Sequence, residues 1–231
     1  MSKGIGDELV FYGNPQSRAR VVRWMLEEVG QPYRTEILQY GGSMRAAEYL
    51  AINPMGKVPA LQHGDVVITE TAAICAYLAD AFPEAQLAPL INNKLRGPYY
   101  RWLFFAAGPL EAAVFNRAMG FELPPGRESM AGYGNYARVL DTLERAVSEC
   151  GDYLVGGSFT AADLYVGSHI GFGMQFGTIE KRPAFERYWA RLSARPAKQK
   201  ADDIDNALAQ QQQRASEPPA PERPKSAAGP A

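Results

Sequence analysis

Three short stretches hold side chains able to do chemistry: Ser17 in the turn Gly13-Asn14-Pro15-Gln16-Ser17, the dipeptide Val58-Pro59, and the acidic–hydroxyl pair Glu70-Thr71. A serine just ahead of a helix has two readings. Its hydroxyl can cap the first turn, or it can donate a hydrogen bond to a thiolate bound beside it. A free thiol has a pKa of about 8.5, and a helix N-terminus together with a donor lowers it. Each unit of lowering reflects about 1.4 kcal/mol of preference for the thiolate. A shift of about two units would turn a minor thiolate fraction at neutral pH into the majority form.

Val58, Ala60 and Leu61 have strand character, yet Pro59 between them has no N–H to give to a sheet. A cis peptide at Val58–Pro59 resolves the conflict, since only an X-Pro bond populates cis readily. Val58, held extended by the following proline, then turns its own N–H and C=O outward, able to pair with an extended peptide as an added strand does. Glu70-Thr71 opens a helix whose apolar positions are Ile74, Tyr77, Leu78 and Ala81. The N–H groups at such a helix start favour a carboxylate. Thr71 adds a donor and Glu70 an acceptor for an ammonium, so the pair suits an amino-acid head group. A plain cap with first-turn charge is the other reading.

The elements that must position these groups follow from periodicity. Residues 9–12 form a short apolar run and read as a first, buried strand; a helix begins at Arg18 with Val22, Met25, Leu26 and Val29 on one face and Gly30 as its C-cap. A second strand covers 33–38, so the chain opens with a βαβ unit, parallel strands and a right-handed crossover. Residues 44–51 form a short helical piece, and 66–69 a strand after the His63-Gly64-Asp65 turn. Beyond Phe82-Pro83-Glu84 no strand pattern returns. Residues 92–119 read as helix, kinked or divided at Pro109, and 129–149 as a second helix. Thr160 followed three residues later by Asp163 is a capping-box variant, with Phe159 and Leu164 as its hydrophobic staple. Pro183 starts a helix that Pro196 ends, and a last one covers 197–209. Residues 210–231, rich in proline and poor in apolar side chains, read as a disordered tail.

A length of 231 residues suits one or two domains, and 46% hydrophobic with 21% charged residues is the make-up of an ordinary globule. A net charge of -1 gives no electrostatic footprint for nucleic acid or an anionic membrane surface. Cys75 and Cys150 are too few for a disulfide scaffold, and with His63 and His169 they show no metal-ligand spacing. No signal peptide or spanning segment is legible, which makes the cytoplasm the default location.

NPMGKVPAL followed by ITETAAICAYLAD resembles the second half of the thioredoxin-like domain of glutathione transferases. YGNPQSRARVV is similar to the segment in which plant-type and related bacterial members carry an activating serine, and GSFTAADLYVG resembles the buried capping motif of their helical domain. The resemblance implies an α/β thioredoxin-like domain over residues 1–84 and an all-α domain over 85–209. Glutathione would be the cosubstrate, with Ser17 favouring its thiolate and Val58, Pro59, Glu70 and Thr71 holding the tripeptide. Tyr40 and Arg45 would reach its glycine end, and Lys57 its backbone. A hydrophobic electrophile would sit at the seam between domains, with Tyr12, Asn14, Phe104, Phe105, Pro109 and Phe115 as candidate lining, joined by Phe172 and Phe176. Thr160 and Asp163 would be structural, no metal is implied, and the chain would be a homodimer. No cysteine occurs in the serine turn, so a C-x-x-C redox pair is excluded. Glutathione-dependent reduction of a disulfide or peroxide, and a non-catalytic binding protein of the same fold, stay open as alternatives.

Overall fold

The structure, a computed structural model, describes residues 8–216. Strand β1 (Leu9–Gly13) runs parallel to β2 (Tyr33–Ile37), in register from Leu9↔Tyr33 to Gly13↔Ile37, with helix α1 (Ala19–Val29) as the crossover. Helix α2 (Ala47–Leu50) precedes β3 (Ala60–His63), which pairs antiparallel with β1 on its other side. The hairpin partner β4 (Val66–Thr69) makes the order β2-β1-β3-β4. Burial explains that order. Leu9, Val10 and Phe11 are all buried, as a central strand requires, whereas Val66 and Val67 on the edge strand are exposed. Pro59 lies just before β3 rather than inside it, so its missing N–H costs the ladder nothing. Helix α1 buries Val22, Met25, Leu26 and Val29 and stops at Gly30, whose φ of 72° only glycine adopts cheaply.

Helix α3 (Thr71–Ala81) covers the sheet, and every described element after it is helical: α4 (Arg96–Phe105), α5 (Glu111–Ala118), α6 (Tyr136–Glu149), α7 (Ala161–Phe176), α8 (Pro183–Ser193) and α9 (Pro196–Ser216). A π turn, Ala106–Leu110, joins α4 to α5 around Pro109, which cannot donate to an α-helical ladder. The helix expected over 129–149 begins later. Only a 3-10 turn, Glu128–Met130, forms first; Gly134 then takes φ 72° and Asn135 caps α6 by accepting the Arg138 N–H at 2.9 Å. The disordered tail expected from residue 210 also needs correction, because α9 continues to Ser216. Its remainder, 217–231, lies outside the described residues.

Helix α7 is buried on most sides and is the axis of the helical half. Gly167 lets α8 close on it: a Cβ there would stand 2.2 Å from Leu192. Buried Asp163 ties the half together. It accepts hydrogen bonds from the Leu154 N–H (2.7 Å), the Thr160 N–H (3.0 Å) and hydroxyl (2.9 Å), and the Tyr188 hydroxyl (2.7 Å). Burial raises its carboxyl pKa and these four donors pull it back in part.

Helix α9 returns to the first half and packs along α1. Arg23, 2% exposed, meets Asp205 at 2.7 Å and also donates to Tyr33 and Thr35, both at 3.1 Å. Arg20 reaches Asp202 (3.1 Å) and Asn206 (2.8 Å), and Arg195 grips Glu28 through two nitrogens at 2.7 and 2.8 Å. A fork-to-fork pair of that kind fixes geometry as well as charge.

Candidate functional site

A cavity of about 1680 Å³ opens between the two halves. Its floor is built from the starts of α1 and α3 and the bend before β3; its far wall comes from α5, α7 and α8. Ser17 lies on the floor, half-buried. Its hydroxyl donates to the Asn14 carbonyl at 2.7 Å, and its oxygen accepts the Ala19 N–H at 3.0 Å. Helix α1 therefore starts one residue later than expected, with Arg18 at the cap position, and Ser17 still satisfies a first-turn N–H. Its proton is the movable part: a hydroxyl hydrogen rotates to whichever acceptor binds it more strongly.

The Val58–Pro59 peptide is cis. Among the described residues nothing hydrogen-bonds to the backbone N–H or C=O of Val58, which borders the cavity. Two ladder-type groups are left open there, at the bend just before β3. Facing them, Glu70 has φ 69° and ψ 119°, a conformation that non-glycine residues rarely hold. Such outliers persist only where the surroundings enforce them, and they concentrate at ligand sites. The Glu70 carbonyl already accepts the Ile74 N–H at 2.9 Å, while its carboxylate and the Thr71 hydroxyl have no partner among the described residues. The start of α3, Thr71 and Ala72, borders the same cavity, and the first N–H groups of a helix have no partner within it. Tyr40, Arg45 and Lys57 complete this side, and their side chains also lack a partner among the described residues. Pro59 itself is buried and does not border the cavity.

The expected lining for a second substrate is largely displaced. Asn14 is 3% exposed and spends its amide on the Leu38 carbonyl at 2.7 Å, which braces the serine turn from inside. Tyr12 donates to Gln62 at 3.1 Å, packs on Tyr49 and does not border the cavity. Phe104 projects outward at 71% exposure, Phe105 packs on Trp102, and Pro109 is inside the π turn; none of them borders the cavity. Phe115, Phe172 and Phe176 do.

Residues not singled out from sequence also meet here. Arg18 forms an ion pair across the seam with Glu111 of α5, and His169 of α7 brings Nδ1 to 3.7 Å from the same carboxylate. Burial, and then the Arg18 charge, hold the His169 pKa down to about 3, so the imidazole is neutral at physiological pH. Arg18 had a signal, adjacency to Ser17; Glu111 and His169 had none, because only the packing of α5 and α7 brings them to that turn. Trp189 reaches the wall because Gly171 makes room, where a Cβ would stand 2.6 Å from the indole. No group of three or more His, Cys, Asp or Glu among the described residues is placed to hold a metal ion.

A four-stranded mixed sheet with a cis-proline bend at its site, followed by a helical half that closes one cavity against it, is the glutathione transferase architecture. The family model described as "Glutathione S-transferase, N-terminal domain" matches residues 11–86, and "Glutathione S-transferase, C-terminal domain" matches 127–196. A probable glutathione S-transferase of Oryza sativa subsp. japonica, GSTF2, is 30% identical over 195 residues, covering 78% of this chain and 88% of the relative. Glutathione S-transferase F10 of Arabidopsis thaliana is 33% identical over 175 residues, covering 68% and 78%. Among solved structures, a glutathione transferase from Methylococcus capsulatus superposes with a TM-score of 0.72 at 30% identity, covering 86% of this chain and 99% of that one. Another, URE2P6 of Phanerochaete chrysosporium in complex with oxidized glutathione, gives 0.71 at 25% identity, covering 89% and 100%. The chain belongs to the glutathione S-transferase family, and it is a transferase.

Proposed function

We propose that this glutathione transferase binds the tripeptide along Val58, with its γ-glutamyl head at Glu70-Thr71 and its sulfur at Ser17. The observation that carries this reading is the pair of backbone groups at Val58 that are unpaired among the described residues, set in one cavity with the Glu70 carboxylate, which likewise has no hydrogen bond there, and a helix start. The backbone groups suit an extended peptide, the α3 N-terminus suits the α-carboxylate, and Glu70 suits the ammonium. Tyr40, Arg45 and Lys57 lie where the glycine end and the peptide backbone would run. Pro59 acts through Val58, by shaping the bend. The chemistry is attack of the bound thiolate on an electrophile held against Phe115, Phe172 and Phe176.

For Ser17 the magnitudes decide the direction. Its present bond to a neutral carbonyl is worth about 1 kcal/mol, while a bond to an anionic sulfur is roughly twice as strong. Redirecting the proton to a thiolate is therefore favourable. The helix start beneath it adds to the same preference. The glutathione complex of the Phanerochaete relative supports the ligand assignment. The reading extends to a homodimer acting in the cytoplasm. None of the helices described is long and apolar enough to cross a membrane.

Glu70→Ala tests the head-group site. Loss of one charge-assisted contact in a solvated cavity is expected to weaken glutathione binding about ten-fold by titration calorimetry. Unchanged affinity removes Glu70 from the site.

A further inference from the structure

We infer that Arg18 is a catalytic residue for one class of electrophile, holding the oxygen of a conjugated carbonyl while the thiolate adds to the carbon–carbon double bond. This assignment rests on the glutathione site proposed above and says what the second substrate brings to it. Arg18 follows Ser17 directly, so the two α-carbons are about 3.8 Å apart, and both side chains border the same cavity. One guanidinium nitrogen is taken by Glu111 of the opposite wall, which fixes the fork across the seam. The other nitrogens have no hydrogen-bond partner among the described residues, and the side chain, which borders the cavity, is half exposed. A guanidinium anchored at one corner and open along the rest is a ready donor for an oxyanion.

The surroundings select the rest of the substrate. Phe115 and Val114 of α5 and Phe172 and Phe176 of α7 face the same space and give it an apolar wall. His169, buried behind the ion pair and neutral, adds no competing cation at that spot. An aryl or alkyl enone fits this division, with its hydrocarbon arm on the phenylalanines and its oxygen on Arg18. In the step, sulfur bonds to the β-carbon and the alkene electron pair moves through the conjugated system onto oxygen. Arg18 donates to the resulting enolate. The proton lost when the thiol ionised is returned to the α-carbon through water, so thiol and alkene combine with no other reactant.

The test compares two electrophiles at saturating glutathione with the full chain. Benzylideneacetone places charge on a conjugated oxygen; benzyl chloride places it on a departing halide. Arg18→Met is expected to lower both kcat and kcat/KM for benzylideneacetone about 30-fold, less than for an enclosed oxyanion donor because the side chain is half exposed, and those for benzyl chloride less than about three-fold. Arg18→Lys, keeping a point charge, should regain at least about three-fold of the enone loss. Glu111→Gln removes the charge that anchors the guanidinium yet keeps an acceptor and the donor itself, so an intermediate enone loss, larger than its loss on benzyl chloride, is expected. Equal losses of Arg18→Met on the two electrophiles overturn the assignment. Calorimetry on the wild type separates the two levels. If glutathione binds and is conjugated but Arg18→Met keeps its enone rate, this inference alone fails; if glutathione does not bind, the site beneath it fails too.

Discussion

Ser17→Ala is expected to lower turnover by about 10- to 100-fold while leaving glutathione affinity within about two-fold. The magnitude is that of one hydrogen bond to a charged acceptor, about 1.5–3 kcal/mol, converted at about 1.4 kcal/mol per factor of ten. Affinity is expected to be spared because the thiol is a small part of the peptide's contact surface, the rest being assigned, in the binding mode proposed above, to Val58, Glu70 and the start of α3. The discriminating measurement is the thiolate absorbance of bound glutathione as a function of pH. Its midpoint should rise by about one to two units in the variant, so that at neutral pH the bound thiol is mostly protonated. A large loss of binding with normal turnover in the bound complex would assign Ser17 to docking instead. The alanine also removes the acceptor of the Ala19 N–H, a capping loss of about 1 kcal/mol that thermal unfolding would register separately from the chemistry.

Asp163→Ala should be the most destabilising single change, at about 3–5 kcal/mol. It strands two backbone N–H groups and two hydroxyls in a region with no solvent to replace the carboxylate. For a chain of this size that corresponds to a fall in melting temperature of roughly 10 °C. Asp163→Asn keeps the shape and one acceptor and should fall between. Thr160→Ala, which leaves the carboxylate three of its donors, should lose only about 1 kcal/mol. A melting temperature for Asp163→Ala within two degrees of the wild type, by scanning calorimetry, would sink the assignment.

Much of the fold was legible because its signals are local. The run 9–12, the face of α1, the turn at Gly64 and the Thr160–Asp163 pair each declare themselves within a few residues. The polar half of the candidate site was legible for the same reason, since Ser17, Val58 and Glu70-Thr71 all stand at element junctions. The apolar half was not. A kink or division at Pro109 is legible, but not its form: a π turn resets the phase of the helix that follows, and nothing in the spacing of the aromatics announces that. Phe115 therefore turns to the cavity while Phe104 and Phe105 do not. Asn14 was misread because its partner, the Leu38 carbonyl, is 24 residues away and gives no local trace. The end of α9 was lost to composition. Glutamine, alanine and arginine are good helix formers, and pooling residues 210–216 with the proline-rich stretch after them hid this.

The contacts between α1 and α9 bear on more than packing. The turn that presents Ser17 leads into a helix whose buried arginine is neutralised by an aspartate 182 positions further along the chain. Removing that aspartate, or cutting the chain before it, would leave a cation sealed in the interior, and the first helix would be the casualty along with the last. Heat should thus not peel α9 away from α1 as a separate first step. The two helices would give way in one all-or-none event, and the turn that carries Ser17 would keep its shape until that event.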